Sequence, residues 1–189
     1  MSKDEIRREV LARRRAMALQ DVAQKSAAIL ECLWALPEFD QASVVLTYVA
    51  SKDNEVDTKP LIRLLLEQRR NVMVPIAEEG GALRWSALGV LEELVPSRFG
   101  ILEPKAGSER PAEVAPGSVC LVPGVAFTRC GWRVGYGGGY FDRFLAGYDG
   151  LPIGLAFDLQ LVMAFRMAPH DRPVQIVVTE SATYRRGPG

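Results

Sequence analysis

Residues 131–143 read Gly-Trp-Arg-Val-Gly-Tyr-Gly-Gly-Gly-Tyr-Phe-Asp-Arg. Glycine reaches backbone angles closed to other residues, so Gly135, Gly137, Gly138 and Gly139 can turn successive N–H groups onto one cluster of oxygens. Arg133 adds a planar fork that matches a phosphate. The segment lies between the apolar run VCLVPGVAF at 119–127 and a helix beginning at Tyr140, an order that builds anion sites. It is not a Walker A loop, since no Lys-Ser/Thr follows. It is not the dinucleotide fingerprint either, since Tyr140 stands where the last glycine would be. Asp142 follows one helical turn on. An acid there opposes a phosphate unless it carries a divalent cation, and magnesium bridges carboxylate and phosphate in that way. Alternatively, Asp142 is a first-turn acid complementing the helix dipole. The residues themselves favour neither reading.

A second group of cations lies at the start of the chain. Ser2-Lys3-Asp4-Glu5 reads as a capping box opening a helix to about Leu19. On a wheel of about 100° per residue, Lys3, Arg7 and Arg14 fall within about 40° of one another. Their shared direction lies inside the apolar arc set by Ile6, Val10, Leu11 and Met17. Inward cations need partners, because unpaired buried charge is costly. A polyphosphate would be one. A basic helix whose long side chains reach past the core edge to water is the alternative.

The elements that must position these groups alternate. Helical runs cover roughly 21–36, ending at Pro37, and 58–70, with Pro60 in the first turn. Buried strands are expected at 43–49, 71–75, 119–127, 151–157 and 173–180, and a strand with polar alternation at 82–88. The span 89–117, rich in Gly, Pro and Glu, reads mostly as loop. Continuous apolar strands between helices predict an α/β three-layer sandwich with a mostly parallel central sheet and helices on both faces. A single domain over 1–189 is expected, with 183–189 a frayed tail.

Composition narrows the classes. Lys and Arg total 23 and Asp and Glu 23, so the formal charge is zero, which argues against general nucleic-acid or membrane-surface binding. No run approaches a membrane span and the start lacks a signal-peptide core. Three scattered cysteines fit a reducing cytoplasm rather than a disulfide framework. One histidine, His170, rules out a zinc cluster of several histidines, and it reads as a structural or surface residue.

The stretch VPGVAFTRCGWRVGYGGGYFDRFL strongly resembles the signature of 5-formyltetrahydrofolate cyclo-ligases, also called 5,10-methenyltetrahydrofolate synthetases. The resemblance runs over nearly the whole chain: Lys3-x-x-x-Arg7, Ser26, the YVASKDNEVDT block, FGILEP and the late PHDRPV…VVTE follow in the expected order. It implies an enzyme that uses ATP and magnesium to close 5-formyltetrahydrofolate into 5,10-methenyltetrahydrofolate. ATP would be contacted by Lys3, Arg7 and the run Arg133, Val134, Gly135, Tyr136, Gly137, Gly138, Gly139, Tyr140 and Phe141. Arg133 would stabilise the group in transfer. Ala50, Glu55, Gly138, Gly139 and Tyr140 would border the reduced folate, with Phe99 an apolar contact. Asp142 and Asp171 would be the magnesium carboxylates. From the residues alone, Glu55 reads as a loop acid and Asp171 as a turn residue of PHDRP. Phe141 departs from the family's second Tyr, Thr128 stands where Asp is common, and Gln175 stands where Asp is often found. A monomer in the cytoplasm is expected, with ATP and the folate its only partners. Two other functions stay open: a non-catalytic folate or nucleotide-binding regulator, and an ATP-dependent ligase or kinase for another small molecule.

Overall fold

The apolar β-branched runs are buried along their whole length because they lie inside one sheet. In the computed structural model, which describes residues 1–187, β1 (Val44–Thr47) has no exposed residue and pairs parallel with β2 (Asn71–Ala77) on one side. On its other side it pairs parallel with β6 (Val119–Val122). β9 (Leu151–Leu155) and β10 (Ile176–Val178) continue the parallel set. The antiparallel edges are β3 (Leu83–Ala87) and β11 (Thr183–Arg185). The order is β11-β10-β9-β6-β1-β2-β3. From β1 the chain proceeds outward to β2; from β6 it proceeds the opposite way. The order therefore reverses between β1 and β6, and the carboxyl ends of the two strands diverge into a crevice there.

Period-two alternation divides the sheet's side chains between two layers. Val45, Leu121, Ile153 and Val178 join the cluster built on α2 (Leu19–Trp34), α3 (Pro37–Asp40) and α4 (Lys59–Glu67). Leu46, Cys120, Val122 and Val177 face the other way, toward Trp85 and the aromatic residues of α5 (Tyr140–Leu145). The expected layering holds, with the second face covered by one short helix and loops.

α1 (Lys3–Arg15) opens with the expected capping box, Ser2 and Glu5 exchanging hydrogen bonds. It packs Ile6 and Val10 against Val125, Ala126 and Val134. Those residues belong to the hairpin β7 (Ala126–Phe127) and β8 (Arg133–Val134) and the loop before it, beyond the end of β6. Each such buried side chain contributes about 1.5–3 kcal/mol. The helix stops at Arg15, short of Leu19, because the Asn54 side-chain amide donates to the carbonyls of Arg14 and Met17 at 3.1 and 3.2 Å. The span 89–117 is not all loop: β4 (Leu94–Pro96) and β5 (Leu102–Pro104) form a hairpin with Phe99 near its tip. The expected frayed tail is corrected in part. Thr183–Arg185 forms β11, held to β10 by ladder bonds, while 188–189 lie outside the described residues.

Gly131 ties the β7–β8 hairpin to the entry of β10. It has φ +84, its carbonyl accepts from Val174 N–H at 2.9 Å, and a Cβ would lie 2.1 Å from Val174 O. Gly117, with φ +73, has open space around it. Gly131→Ala is expected to cost about 3 kcal/mol or more of unfolding free energy, and Gly117→Ala about 1 kcal/mol. Urea unfolding of both variants measures the difference.

Candidate functional site

The crevice between β1 and β6 widens into a cavity of about 300 Å3. Four segments far apart in the chain supply its charge. Lys3 and Arg7 come from α1. Lys52 and Glu55 follow β1. Arg133, Gly135 through Asp142, and then His170 and Asp171 line the remainder, with Phe99 from the β4–β5 hairpin closing over Tyr140. The inward phase read on the helical wheel is what brings Lys3 and Arg7 here.

Each polar group has a describable state. Lys3 Nζ donates to both oxygens of Asp171, at 2.5 Å each. Burial opposes ionisation of Asp171, but the Lys3 hydrogen bond and the Ala168 N–H outweigh it and hold the carboxyl below the ordinary aspartate value. Arg7 Nε donates to Gly135 O at 2.7 Å, fastening the glycine loop to the helix. Arg133 is buried, 5% exposed, and donates to Asp142 Oδ1 at 2.8 Å. Burial draws its guanidinium below the usual arginine value, and Asp142 opposes that effect. Its Nε has no acceptor among the described residues. A buried guanidinium with an unfilled donor, beside glycines 135–139, suits an oxyanion ligand.

The glycines are needed for space as well as for angle. A Cβ on Gly138 would meet the Tyr140 ring at 2.8 Å, and one on Gly139, at φ +69, would meet Arg143 Nη1 at 3.0 Å. Arg143 donates to Gly81 O at 2.8 Å and also to Gly138 O, joining the loop to the β2–β3 turn. Opposite the loop, Glu55 accepts from Ser51 N–H and from the Tyr136 hydroxyl, both at 3.1 Å.

Most expected site residues meet at this cavity: Lys3, Arg7, Glu55, Arg133, Gly135 to Gly139, Tyr140, Phe141, Asp142, Asp171 and Phe99. Two do not line it. Ala50 is buried, with its N–H given to Thr58 Oγ1, and the Val134 side chain packs under α1. Arg14, grouped with Lys3 and Arg7 by phase, finds its partners in the protein rather than in a ligand: Asp53 O at 2.6 Å, Gly124 O at 3.2 Å and the Tyr136 hydroxyl. His170 lies on the lining, 3.8 Å from Asp171. Sequence reasoning passed over Lys52 and the Tyr136–Glu55 contact. Lys52's position just after a buried strand was the available signal. Tyr136 was expected among the ATP contacts of the loop, and nothing local points its hydroxyl at Glu55.

Among the described residues no helix is long and apolar enough to cross a membrane, and no group of three or more His, Cys, Asp or Glu could hold a metal. The fold and cavity define a small-ligand α/β protein, with an anion-suited glycine loop at the switch point of its sheet. The chain belongs to the 5-formyltetrahydrofolate cyclo-ligase family, whose model matches residues 1–180. It is 32% identical to the 5-formyltetrahydrofolate cyclo-ligase of Escherichia coli K12 over 177 residues, 91% of this chain and 97% of that protein. It is 30% identical to the Haemophilus influenzae cyclo-ligase, over 85% of this chain and 88% of that one. The solved structure of Aquifex aeolicus 5,10-methenyltetrahydrofolate synthetase superposes with a TM-score of 0.81 at 32% identity, covering 100% of this chain and 95% of that one.

The Lys3–Asp171 pair fastens the first turn of α1 to the loop before β10. Lys3→Met is expected to lower stability at pH 7 by about 1–2 kcal/mol, since a part-buried carboxylate loses its charged partner. Asp171 ionises more readily folded than unfolded. The pair's contribution is therefore present above the unfolded value of about 4 and is lost as pH falls through the lower folded value. Denaturant curves at pH 7 and pH 3 should show the gap between variant and wild type closing in acid.

Proposed function

We propose that the protein closes 5-formyltetrahydrofolate to 5,10-methenyltetrahydrofolate at the expense of ATP, releasing ADP and phosphate. One observation carries this beyond family membership. Lys3, Arg7, the buried Arg133 with its unfilled donor and the glycine loop surround the same cavity into which Glu55 faces.

The chemical obstacle is that a formamide carbon is a poor electrophile and its oxygen a poor leaving group. Transfer of the γ-phosphoryl group to the formyl oxygen answers both. The carbon becomes iminium-like, N10 attacks it and gives up its proton, and the former formyl oxygen departs with phosphate. The protein's task is positioning and charge neutralisation. Lys3, Arg7 and the N–H groups of residues 135–139 bind the phosphates. Arg133, which lines the cavity and is already desolvated, would stabilise the group in transfer through its guanidinium. Glu55 accepts from the donor edge of the pterin. Phe99 and Tyr140 cover the ring. Magnesium, held by Asp142 and Asp171, would neutralise phosphate charge. Two carboxylates suffice where the phosphates and water complete the coordination, and both here accept hydrogen bonds from the cations Arg133 and Lys3. The protein acts as a monomer in the cytoplasm.

Two of the three departures from the family pattern, Gln175 and Thr128, stay clear of this machinery. Gln175 is exposed and off the cavity, its backbone engaged with Pro152 and Arg186. Thr128 Oγ1 accepts from Trp132 N–H in the hairpin loop. Phe141 lines the cavity, but it keeps the ring and packs edge-on to Trp85. These placements support the catalytic reading over a non-catalytic binder.

Phosphate release should require both 5-formyltetrahydrofolate and magnesium, with the methenyl product's absorbance rising in step. Folded protein that makes no product with both ligands present refutes the assignment, and ADP release with other substrates alone would point to a different ligase or kinase. Arg133→Ala should lower kcat by about 100-fold or more while folate affinity changes little. Equal losses in kcat and affinity would remove Arg133 from the transfer step.

A further inference from the structure

Arg14 is 1% exposed and sits in no step of the chemistry above. Two of its three bonds converge on the elements that hold Glu55. Nε donates to Asp53 O at 2.6 Å, and Nη2 donates to the Tyr136 hydroxyl, whose own proton goes to Glu55 Oε1 at 3.1 Å. The polarity of this chain is fixed by valence. A guanidinium has no lone pair to accept with, so Tyr136 must accept from Arg14, and its single proton is then available only to Glu55. Ser51 N–H occupies Glu55 Oε2 at 3.1 Å. With one donor on each oxygen supplied by the protein, the Glu55 carboxylate is fixed in rotation, and its remaining lone pairs are left for a ligand.

The backbone carrying Glu55 requires such support. Asp53 and Asn54 both have positive φ, 53° and 51°, an arrangement that two consecutive non-glycine residues hold only under external constraint. The constraint is reciprocal. Arg14 takes the Asp53 carbonyl, Asn54 Nδ2 takes the carbonyls of Arg14 and Met17, and Arg15 pairs with Asp53 Oδ1 at 2.6 Å. The end of α1 and the Glu55 loop therefore hold one conformation together.

We infer that Arg14 and Tyr136 are positioning residues that present Glu55 as an oriented, acceptor-only carboxylate, selecting a ligand with two adjacent N–H donors. The inference rests on the proposed reading of Glu55 as the folate contact. In a pterin, the 2-amino group and the neighbouring ring N–H form such an edge. It also separates two roles within the glycine loop. The Tyr136 side chain serves the folate end of the cavity, while the backbone of its neighbours serves the phosphate end. Burial first, and the Glu55 carboxylate second, raise the Tyr136 hydroxyl above its ordinary value, so it stays a donor throughout the assay range.

The test is a double-mutant cycle on equilibrium binding of 5-formyltetrahydrofolate, read by calorimetry, with Tyr136→Phe, Glu55→Gln and the double variant. Tyr136→Phe keeps the ring and removes only the relay, and thermal unfolding verifies that each variant folds. Tyr136→Phe is expected to weaken binding about tenfold, and to add little further loss in the Glu55→Gln background, because it acts through that carboxylate. Its kinetic loss should fall on the folate KM more than on kcat, with the KM for ATP little moved. A reduced folate whose 2-amino group is replaced by methyl should bind wild type much more weakly than the parent, and Tyr136→Phe should discriminate less between the two. Arg14→Lys, which keeps the charge but cannot reach three acceptors, should lie between wild type and Tyr136→Phe. Wild-type affinity in Tyr136→Phe, or fully additive losses in the double variant, would overturn the relay while leaving Glu55's role intact. Unchanged affinity in Glu55→Gln would overturn both the relay and the folate assignment of Glu55.

Discussion

A buried arginine must be answered by acceptors, and the answer given to Arg14 sets much of the rest of the site. Its guanidinium is out of water at the end of α1, and Asp53 O, Gly124 O and the Tyr136 hydroxyl satisfy it. Those oxygens belong to the loop after β1, the turn after β6 and the glycine loop. One side chain thus fixes three segments against one helix. With that end of α1 anchored and Ile6 and Val10 packed on the β7–β8 hairpin, Lys3 and Arg7 can only point into the crevice. The helix is therefore as much a wall of the site as a part of the fold.

The cavity's charges are paired across elements. Lys3 holds Asp171, and Arg133 holds Asp142. An unpaired ion of either sign would be costly at this depth, so these two cations are each held on a carboxylate. In the proposed reaction, the incoming phosphates and magnesium would exchange partners with these pairs: phosphate taking the cations, metal the carboxylates. The protein then needs no large rearrangement to accept a highly charged ligand. Arg133 keeps one buried donor unfilled even when paired, which singles it out from the other cations of the site.

Much of this was legible in the chain. The apolar runs at 43–49 and 119–127 foretold buried parallel strands, because only strands covered on both faces read as continuous hydrophobic sequence. The capping box and the wheel foretold α1 and the inward direction of its cations. The glycine loop lies on the cavity it was expected to line, and its extended signature announced the family. Less legible were short elements held by partners distant in sequence. The β4–β5 hairpin and β11 lack strong local patterns and exist because neighbours complete their hydrogen bonds. Ala50 and Val134 were expected among the ligand residues from the family resemblance; in the fold the Ala50 N–H is given to Thr58 and the Val134 side chain to core packing.

The sequence by itself determined which segments are strand and helix, which face of α1 turns inward, and where backbone N–H groups can converge. These follow from periodicity and from the angles open to each residue. It could not determine who answers a buried charge. Lys3 to Asp171 spans 168 positions, Tyr136 to Glu55 spans 81 and Arg14 to Tyr136 spans 122. Such pairings are decided by strand order and by the reversal between β1 and β6, and no local pattern encodes them. The tertiary structure alone therefore decided that Arg14 holds the protein together while Lys3 and Arg7, on the same face, look into the cavity. The physical reason is distance along the helix: the face is shared, but its last turn lies over Asp53 O, Gly124 O and the Tyr136 hydroxyl, while its first turns flank the cavity.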